Sequence, residues 1–133
     1  MRVLFDTNAY SAMRNGDTAL LRMTQDSSAV FMSAIVIGEL LYGFQHGSRY
    51  EQNLHKLREF LDRPTVHFLP VTQSSAEHFG LIAAALRKKG RPIPQNDIWI
   101  AAHAIEFGAQ LISADRHFHH VDGLDWQALG GKP

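Results

Sequence analysis

The chain has 133 residues, 45% of them hydrophobic, and its 13 basic side chains balance 13 acidic ones. This is about one domain's worth of sequence, and the hydrophobic fraction is too high for a disordered chain. The lack of cysteine excludes disulfide bonds and thiolate metal sites, while zero net charge favours no partner class. No apolar run approaches the roughly 20 residues of a membrane span, and no secretory signal is recognisable. We therefore expect a cytoplasmic protein without a membrane partner.

Short apolar and β-branched runs predict four strands and a weaker fifth one. The predicted strands are residues 2–5, 30–33, 66–69, 110–113 and 124–126. Amphipathic or capped segments between them predict helices. The predicted helices are residues 8–14, 19–23, 34–46, 49–62, 75–89 and 97–107. This alternation predicts an α/β domain with a mainly parallel sheet, because parallel strands need crossover connections.

Capping residues refine these boundaries. Ser33 is expected to cap the helix that follows it, and Ser74 with Glu77 predicts a capping box before the next long helix. Gly90 is expected to end that helix. With no repeat or linker in the sequence, we predict a single domain over residues 1–133, with a loose tail at about 130–133.

Four acidic residues stand at places that a parallel sheet would bring together. Asp6 and Asp115 each follow a predicted strand, and ligands collect at the carboxyl ends of such strands. Asp97 lies in the first turn of its helix, where the helix dipole favours a carboxylate. Glu39 interrupts an apolar helix, and its long side chain can reach back toward the start of that helix. We predict that these carboxylates converge on one rim.

Four converging carboxylates would repel one another unless a cation lay between them. Mg²⁺ and Mn²⁺ prefer oxygen ligands, and one or two such ions would activate water for attack on a phosphodiester. This interpretation predicts a metal-dependent enzyme acting on phosphate. The alternative is that each acid is local, as an N-cap, a helix-dipole partner or a turn residue.

Five segments resemble a known family when taken in order along the chain. They are Leu4-Phe5-Asp6-Thr7-Asn8, Ser33 through Gly43, Gly90-Arg91-Pro92-Ile93, Asn96-Asp97 through Ala102, and Ser113 through Phe118. Together they resemble the PIN-domain nucleases, and specifically the VapC-type toxins of bacterial toxin–antitoxin pairs. The resemblance covers nearly the whole chain.

The resemblance implies a three-layer α/β/α sandwich and a site built from two groups of residues. The acidic quartet that binds Mg²⁺ or Mn²⁺ and carries catalysis would be Asp6, Glu39, Asp97 and Asp115. The residues that support those carboxylates would be Thr7, Asn8, Ser33, Asn96 and Ser113. One departure is Ala114, where an asparagine often stands, but we expect metal binding to survive because the acid beside it is present.

The implied activity is endoribonuclease cleavage of RNA by metal-activated water. The implied partners are an RNA substrate, a second copy in a homodimer, and a cognate VapB-type antitoxin that silences the enzyme. A set of basic residues, called here the loop cations, could bind RNA phosphates or merely complement the end of a helix. The loop cations are Arg87, Lys88, Lys89, Arg91 and Arg116.

The sequence also bears on other possible sites and functions. His117, His119 and His120 are interpreted as a polar loop rather than a zinc site, since no further ligands stand at a defined spacing. A haloacid-dehalogenase-type phosphatase would need a second aspartate where Asn8 stands, and a receiver domain would need an acceptor aspartate after the third strand, where Pro70 stands. A PIN-like binding module without catalysis would be expected to have lost an acid.

Overall fold

A parallel five-stranded sheet forms the middle layer of the protein. The computed structural model describes residues 1–129. The strands are Arg2–Phe5 (β1), Ala29–Ser33 (β2), Val66–Leu69 (β3), Gln110–Ser113 (β4) and Trp126–Ala128 (β5). Their order in the sheet is β3-β2-β1-β4-β5, and all four pairings are parallel.

Six α-helices flank this sheet in the described part of the chain. They are Thr7–Arg14 (α1), Thr18–Asp26 (α2), Ala34–Gln45 (α3), Tyr50–Leu61 (α4), Gln73–Lys89 (α5) and Gln95–Glu106 (α6), and a short 3₁₀ helix spans Arg116–His120. The predicted α/β/α fold with a mainly parallel sheet is confirmed. Within residues 1–129, no helix is both long and apolar enough to cross a bilayer.

The order of the strands determines where the site lies. After β1 the chain adds β2 and β3 on one side of it, and then crosses over to place β4 and β5 on the other side. The junction between β1 and β4 is therefore the point at which the winding direction reverses, and a crevice opens there outside the carboxyl ends of the strands. Asp6 and Asp115 directly follow this pair of strands.

The core is continuous around the central strand. Val3, Leu4 and Phe5 of β1 have no exposed surface. On one side of the sheet, Phe60 of α4 packs edge-on against Tyr10 of α1, with ring centroids 5.4 Å apart. This packing fixes α1, whose first turn begins directly after Asp6.

A fully buried histidine ties α6 to the ends of two strands. His103 Nδ1 lies 2.8 Å from Ser33 Oγ, and its Nε2 lies 3.0 Å from the Pro70 carbonyl oxygen. Because a carbonyl can only accept, Nε2 carries the proton and Nδ1 accepts from the hydroxyl. Ser33 Oγ also accepts from the Ile35 backbone N–H at 3.1 Å and so caps α3. Burial lowers the pKa of His103, which keeps the ring neutral.

Several predicted boundaries differ from the structure by one to three residues, and two of these differences have a visible cause. The capping box of Ser74 with Glu77 is wrong, because Thr72 keeps an extended backbone after Pro70 and exchanges hydrogen bonds with Ser75, so that α5 begins two residues early. The last strand is shifted to Trp126–Ala128, because Trp126 rather than residue 124 pairs with β4. The predicted tail at 130–133 lies outside the described residues.

Replacing His103 with leucine is expected to destabilise the protein by about 1–3 kcal/mol at pH 8, because buried polar groups of Ser33 and Pro70 lose their partner. The pKa of His103 is lowered from 6.5 in the folded state, so unfolding of the wild type takes up a proton below that pH. The difference in the free energy of unfolding between wild type and variant should therefore become smaller toward pH 5. Urea unfolding at pH 8 and at pH 5 measures this difference.

The matched control is His55→Leu, because the side chain of His55 is 74% exposed on α4. We expect that change to stay within about 0.5 kcal/mol of the wild type. An equal loss in the two variants would contradict a specific role for the buried histidine.

Candidate metal centre

All four predicted acids line one pocket at the carboxyl edge of the sheet. The pocket has a volume of about 210 Å³ and is completed by Thr7, Asn8 and Ile100. Its acids are Asp6, Glu39, Asp97 and Asp115. The structure thus brings together residues that are far apart in the sequence. We call this pocket the metal centre, and the catalytic role of its residues stays a prediction.

Asp6 is the most buried of the four carboxylates, with 4% of its surface exposed. It is the N-cap of α1, and its Oδ1 accepts a 2.8 Å hydrogen bond from the Ala9 backbone N–H. Burial, together with the negative charges of Asp115 and Asp97, raises the pKa of Asp6 to about 6, although Ser113 and Ala9 oppose the rise. The ionised form of Asp6 is therefore costly without a nearby positive charge.

Glu39 is held in place by side chains from two other helices. Its Oε1 accepts a 2.7 Å hydrogen bond from the Thr7 hydroxyl of α1. Its Oε2 accepts a 3.3 Å hydrogen bond from the Asn96 amide of α6. Glu39 itself belongs to α3, so three helices meet at one carboxylate.

The other expected supporting residues occupy different positions. Asn8 is exposed and lines the pocket. Ser113 accepts a 3.0 Å hydrogen bond from the Asp115 backbone N–H through its Oγ, and its side chain favours the ionised form of Asp6. Ser33 is buried at the start of α3, bonded to His103, and supports the helix of Glu39 rather than a carboxylate directly.

Asp97, Asp115 and His117 form a tight group on one side of the pocket. One ligand atom from each lies within 4.8 Å of those of the other two. His117 Nε2 is 2.8 Å from Asp97 Oδ2. Burial raises the pKa of Asp97, while the nearby imidazole lowers it and Asp115 raises it further.

The chemistry of these donors fits a divalent cation. The pocket offers carboxylate oxygens, which are the ligands that Mg²⁺ and Mn²⁺ accept. Two of the carboxylates, Asp6 and Asp97, have raised pKa values, so a positive charge between them would relieve an existing electrostatic cost. The imidazole of His117 lies beside the same acids and could add a nitrogen ligand to the carboxylate oxygens.

A second pocket, called here the basic pocket, lies between α1, α3 and α4 and has a volume of about 300 Å³. It is lined by Tyr10, Ser11, Arg14, Asn15, Phe44, Arg49, Asn53 and Lys56. Among the described residues that line it, three are cationic and none is acidic. The Arg14 guanidinium is fixed by a 2.8 Å bond to the Tyr10 hydroxyl and a 2.7 Å bond to the Lys56 carbonyl.

The loop cations lie at the end of α5, in the following loop and at the start of the 3₁₀ helix. Lys89 is engaged, since its Nζ lies 2.6 Å from Asp122 Oδ1 and donates to the His120 carbonyl oxygen at 2.9 Å. The remaining four are exposed: Arg87, Lys88, Arg91 and Arg116. An RNA-binding role for these residues stays a prediction.

Residues 3–124 match the family pattern described as the PIN domain. The chain belongs to the PIN-domain family. The ribonuclease VapC2 of Haemophilus influenzae is 36% identical over 127 residues, which cover 93% of this chain and 95% of that protein. The family resemblance drawn from the five sequence segments is thereby confirmed.

Two further relatives extend the comparison. A tRNA(fMet)-specific endonuclease VapC of Shigella flexneri is 28% identical over 132 residues, covering 95% of this chain and 98% of that one. The solved structure of VapBC-1 from nontypeable Haemophilus influenzae aligns with a TM-score of 0.81 at 30% identity, covering 96% and 98% of the two chains. The PIN fold is therefore shared over essentially the full described length.

Sequence reasoning missed two features of the site. His117 lies two residues after Asp115, and that spacing was a signal, but the neighbouring histidines made the segment resemble an ordinary polar loop. The basic pocket gave no local signal, because Arg14 belongs to α1, whereas Arg49 and Lys56 belong to the cap and the interior of α4. Only the packing of α1 against α3 and α4 brings them together.

Asp6→Asn is expected to stabilise the metal-free protein at pH 7.5 by about 2–3 kcal/mol. The asparagine oxygen can still cap α1, while the cost of ionising a buried carboxyl disappears. The pKa of Asp6 is 3.8 in the unfolded chain and about 6 in the folded protein, so the wild type loses stability as pH rises between these values. Urea unfolding in a chelator near pH 4 and at pH 7.5 measures the difference.

Asp62→Asn is the control, since this exposed aspartate at the end of α4 lies outside the metal centre. It should show no comparable gain at pH 7.5. Equal stability of the Asp6→Asn variant and the wild type at both pH values would show that Asp6 ionises without cost.

Proposed function

We propose that this chain is an endoribonuclease that hydrolyses RNA phosphodiester bonds with Mg²⁺ or Mn²⁺ as cofactor. One observation carries the proposal: four carboxylates converge in one pocket at the point where the sheet reverses direction. Membership of the PIN-domain family and similarity to proteins named as ribonucleases support the choice of RNA as substrate.

Each residue of the metal centre has a distinct task in this proposal. Asp6, Asp97 and Asp115 would hold the cation through their carboxylate oxygens, and Glu39 would complete the set. A bound divalent cation would lower the pKa of water and offset charge on the scissile phosphate. Thr7 and Asn96 keep both oxygens of Glu39 oriented, so little reorganisation is needed when substrate arrives.

The two other functions considered from the sequence are less well supported. A PIN-like module that only binds a partner has no use for four converging carboxylates, two of which have raised pKa values. A haloacid-dehalogenase-type phosphatase needs an acidic residue at position 8, where the asparagine instead lines the pocket. The phosphatase alternative also does not account for the match to the PIN domain over residues 3–124.

We also propose a cognate antitoxin of the VapB type, because solved relatives are toxin–antitoxin complexes named VapBC. A homodimer is the second proposed assembly. Leu81 on α5 is 73% exposed, and it borders an apolar groove between α5, α6 and the 3₁₀ helix. Such a surface is a candidate for contact between copies.

The RNA chain is proposed to run from the metal centre into the basic pocket. Thr7 at the start of α1 contacts Glu39, and Arg14 lies seven residues later on the same helix, about 10 Å along its axis. Arg49 and Lys56 extend the positive charge, while Tyr10 and Phe44 offer aromatic surface. This combination of cations with aromatic rings is typical of single-stranded nucleic-acid binding.

Asp6→Asn and Asp97→Asn are each expected to lower RNA cleavage by about a thousandfold or more, because each removes a charged ligand of the cation. Transfer RNA is the first substrate to test, with Mg²⁺ or Mn²⁺ in the buffer. Expression of the wild type should arrest bacterial growth, and expression of either variant should not.

Asp62→Asn again serves as the control and should cleave at the wild-type rate. Circular dichroism establishes that all variants are folded. Undiminished metal-dependent cleavage by the Asp6→Asn protein would contradict the assignment of the metal centre as the active site. A wild type that cleaves no RNA with either ion would contradict the proposed function.

Arg49→Ala with Lys56→Ala is expected to weaken RNA binding about tenfold and to reduce its salt dependence, because two phosphate contacts are lost. The measurement uses the cleavage-deficient Asp6→Asn protein and fluorescently labelled RNA over a range of salt concentrations. Arg22→Ala with Arg58→Ala removes the same charge from outside the basic pocket and is the control. An identical loss in the control pair would mean that only net charge matters.

A further inference from the structure

We propose that His117 is a nitrogen ligand of the metal centre and makes it favour a first-row transition ion, such as Mn²⁺, over Mg²⁺. The inference rests on the proposed function and adds a residue outside the acidic quartet. Three observations carry it: the position of the imidazole, its unpartnered nitrogen, and the identity of its neighbours.

The imidazole is positioned by packing. Phe118, the next residue, has no exposed surface and anchors the 3₁₀ helix in the core. The rings of His117 and Phe118 meet edge to face, with centroids 4.9 Å apart. The segment before them is fixed by the hydrogen bond from the Asp115 backbone N–H to Ser113 Oγ. The side chain of His117 is 31% exposed, and its Nε2 lies 2.8 Å from Asp97, which lines the metal centre.

The Nε2 atom of His117 is itself buried and makes no hydrogen bond to any residue in the range 1–129. Buried polar atoms without a partner are rare, and each costs free energy. Asp97 Oδ2 lies 2.8 Å from this nitrogen, so the imidazole and the carboxylate already face each other. A cation bound between them would be held by both atoms.

The neighbouring groups complete a mixed ligand set. Asp97 and Asp115 each place a carboxylate oxygen within 4.8 Å of the imidazole nitrogen. Of the adjacent histidines, His119 is exposed, and His120 lies beside Lys89 and Arg91, so neither belongs to this group. His117 is thus the histidine that the fold directs toward the acids.

A nitrogen ligand changes which ion the centre prefers. Mg²⁺ is a hard cation that takes oxygen ligands in a strict octahedral arrangement. Imidazole is a common ligand of first-row transition ions, and even Mn²⁺, the weakest binder among them, accepts a nitrogen donor beside carboxylates more readily than Mg²⁺ does. A centre of four carboxylates alone would serve Mg²⁺ well, so the histidine is what shifts the preference.

The test compares His117→Ala with His119→Ala, which removes an imidazole two residues away. Mn²⁺ and Mg²⁺ binding is measured by calorimetry on the metal-free full-length proteins. We expect His117→Ala to weaken Mn²⁺ binding by about 10–100-fold and Mg²⁺ binding by less than about threefold, while His119→Ala changes neither.

Pulsed electron paramagnetic resonance of the Mn²⁺-loaded proteins gives a direct readout that does not depend on activity. The wild type and His119→Ala should show the nuclear coupling of a coordinated imidazole nitrogen, and His117→Ala should lack it. His117→Gln, which retains a side chain of similar length, should also lack it and covers the case in which the alanine variant fails to fold.

An oxygen-only spectrum from the wild type, or a nitrogen coupling that survives in His117→Ala, would overturn the inference. Either result leaves the proposed nuclease in place if the wild type still cleaves RNA with Mg²⁺ or Mn²⁺. Failure of the wild type to bind either ion overturns both proposals. A wild type that binds Mn²⁺ through an imidazole nitrogen but cleaves no RNA overturns the proposed nuclease alone.

Discussion

The cost of holding four carboxylates in one partly buried pocket is the constraint around which the rest of the structure is organised. Asp6 is almost fully buried, and its pKa of about 6 reflects that burial first and the charges of Asp115 and Asp97 second. A fold selected only for stability would place apolar or neutral side chains there. The pocket instead keeps four carboxylates close together, which is the condition under which a divalent cation binds strongly and is held in one place.

The surrounding structure keeps these repelling groups from moving apart. Thr7 and Asn96 each donate a hydrogen bond to one oxygen of Glu39, and Asp6 is held by its capping bond to the Ala9 backbone N–H. Deeper in the protein, His103 joins the start of α3 to α6, so the helices that carry Glu39 and Asp97 are fixed relative to each other. Buried polar networks of this kind rigidify a core when every member is satisfied. The precision of the centre thus depends on residues that never touch the substrate.

Much of the fold was predictable, because strand and helix periodicities are local and the acids follow strands in the order that parallel sheets require. The boundary errors arose where two local signals competed. Ser74 and Glu77 matched a capping pattern, but the extended chain after Pro70 let Thr72 cap the helix first. The convergence of the acids followed from topology. Two features could not be predicted from topology: the short distance between His117 and Asp97, and the formation of the basic pocket. Both depend on tertiary packing that no short segment encodes.

The junction of α1, α3 and α6 at the single side chain of Glu39 has a consequence for control of the enzyme. The carboxylate keeps its orientation only while the first turns of α1 and α6 stay at their present separation. If these two helices were moved apart, one of the two hydrogen bonds would break and the side chain of Glu39 would no longer be held in one orientation. A change in the packing of α1 against α6 would therefore alter the orientation of Glu39 without any contact with the pocket itself.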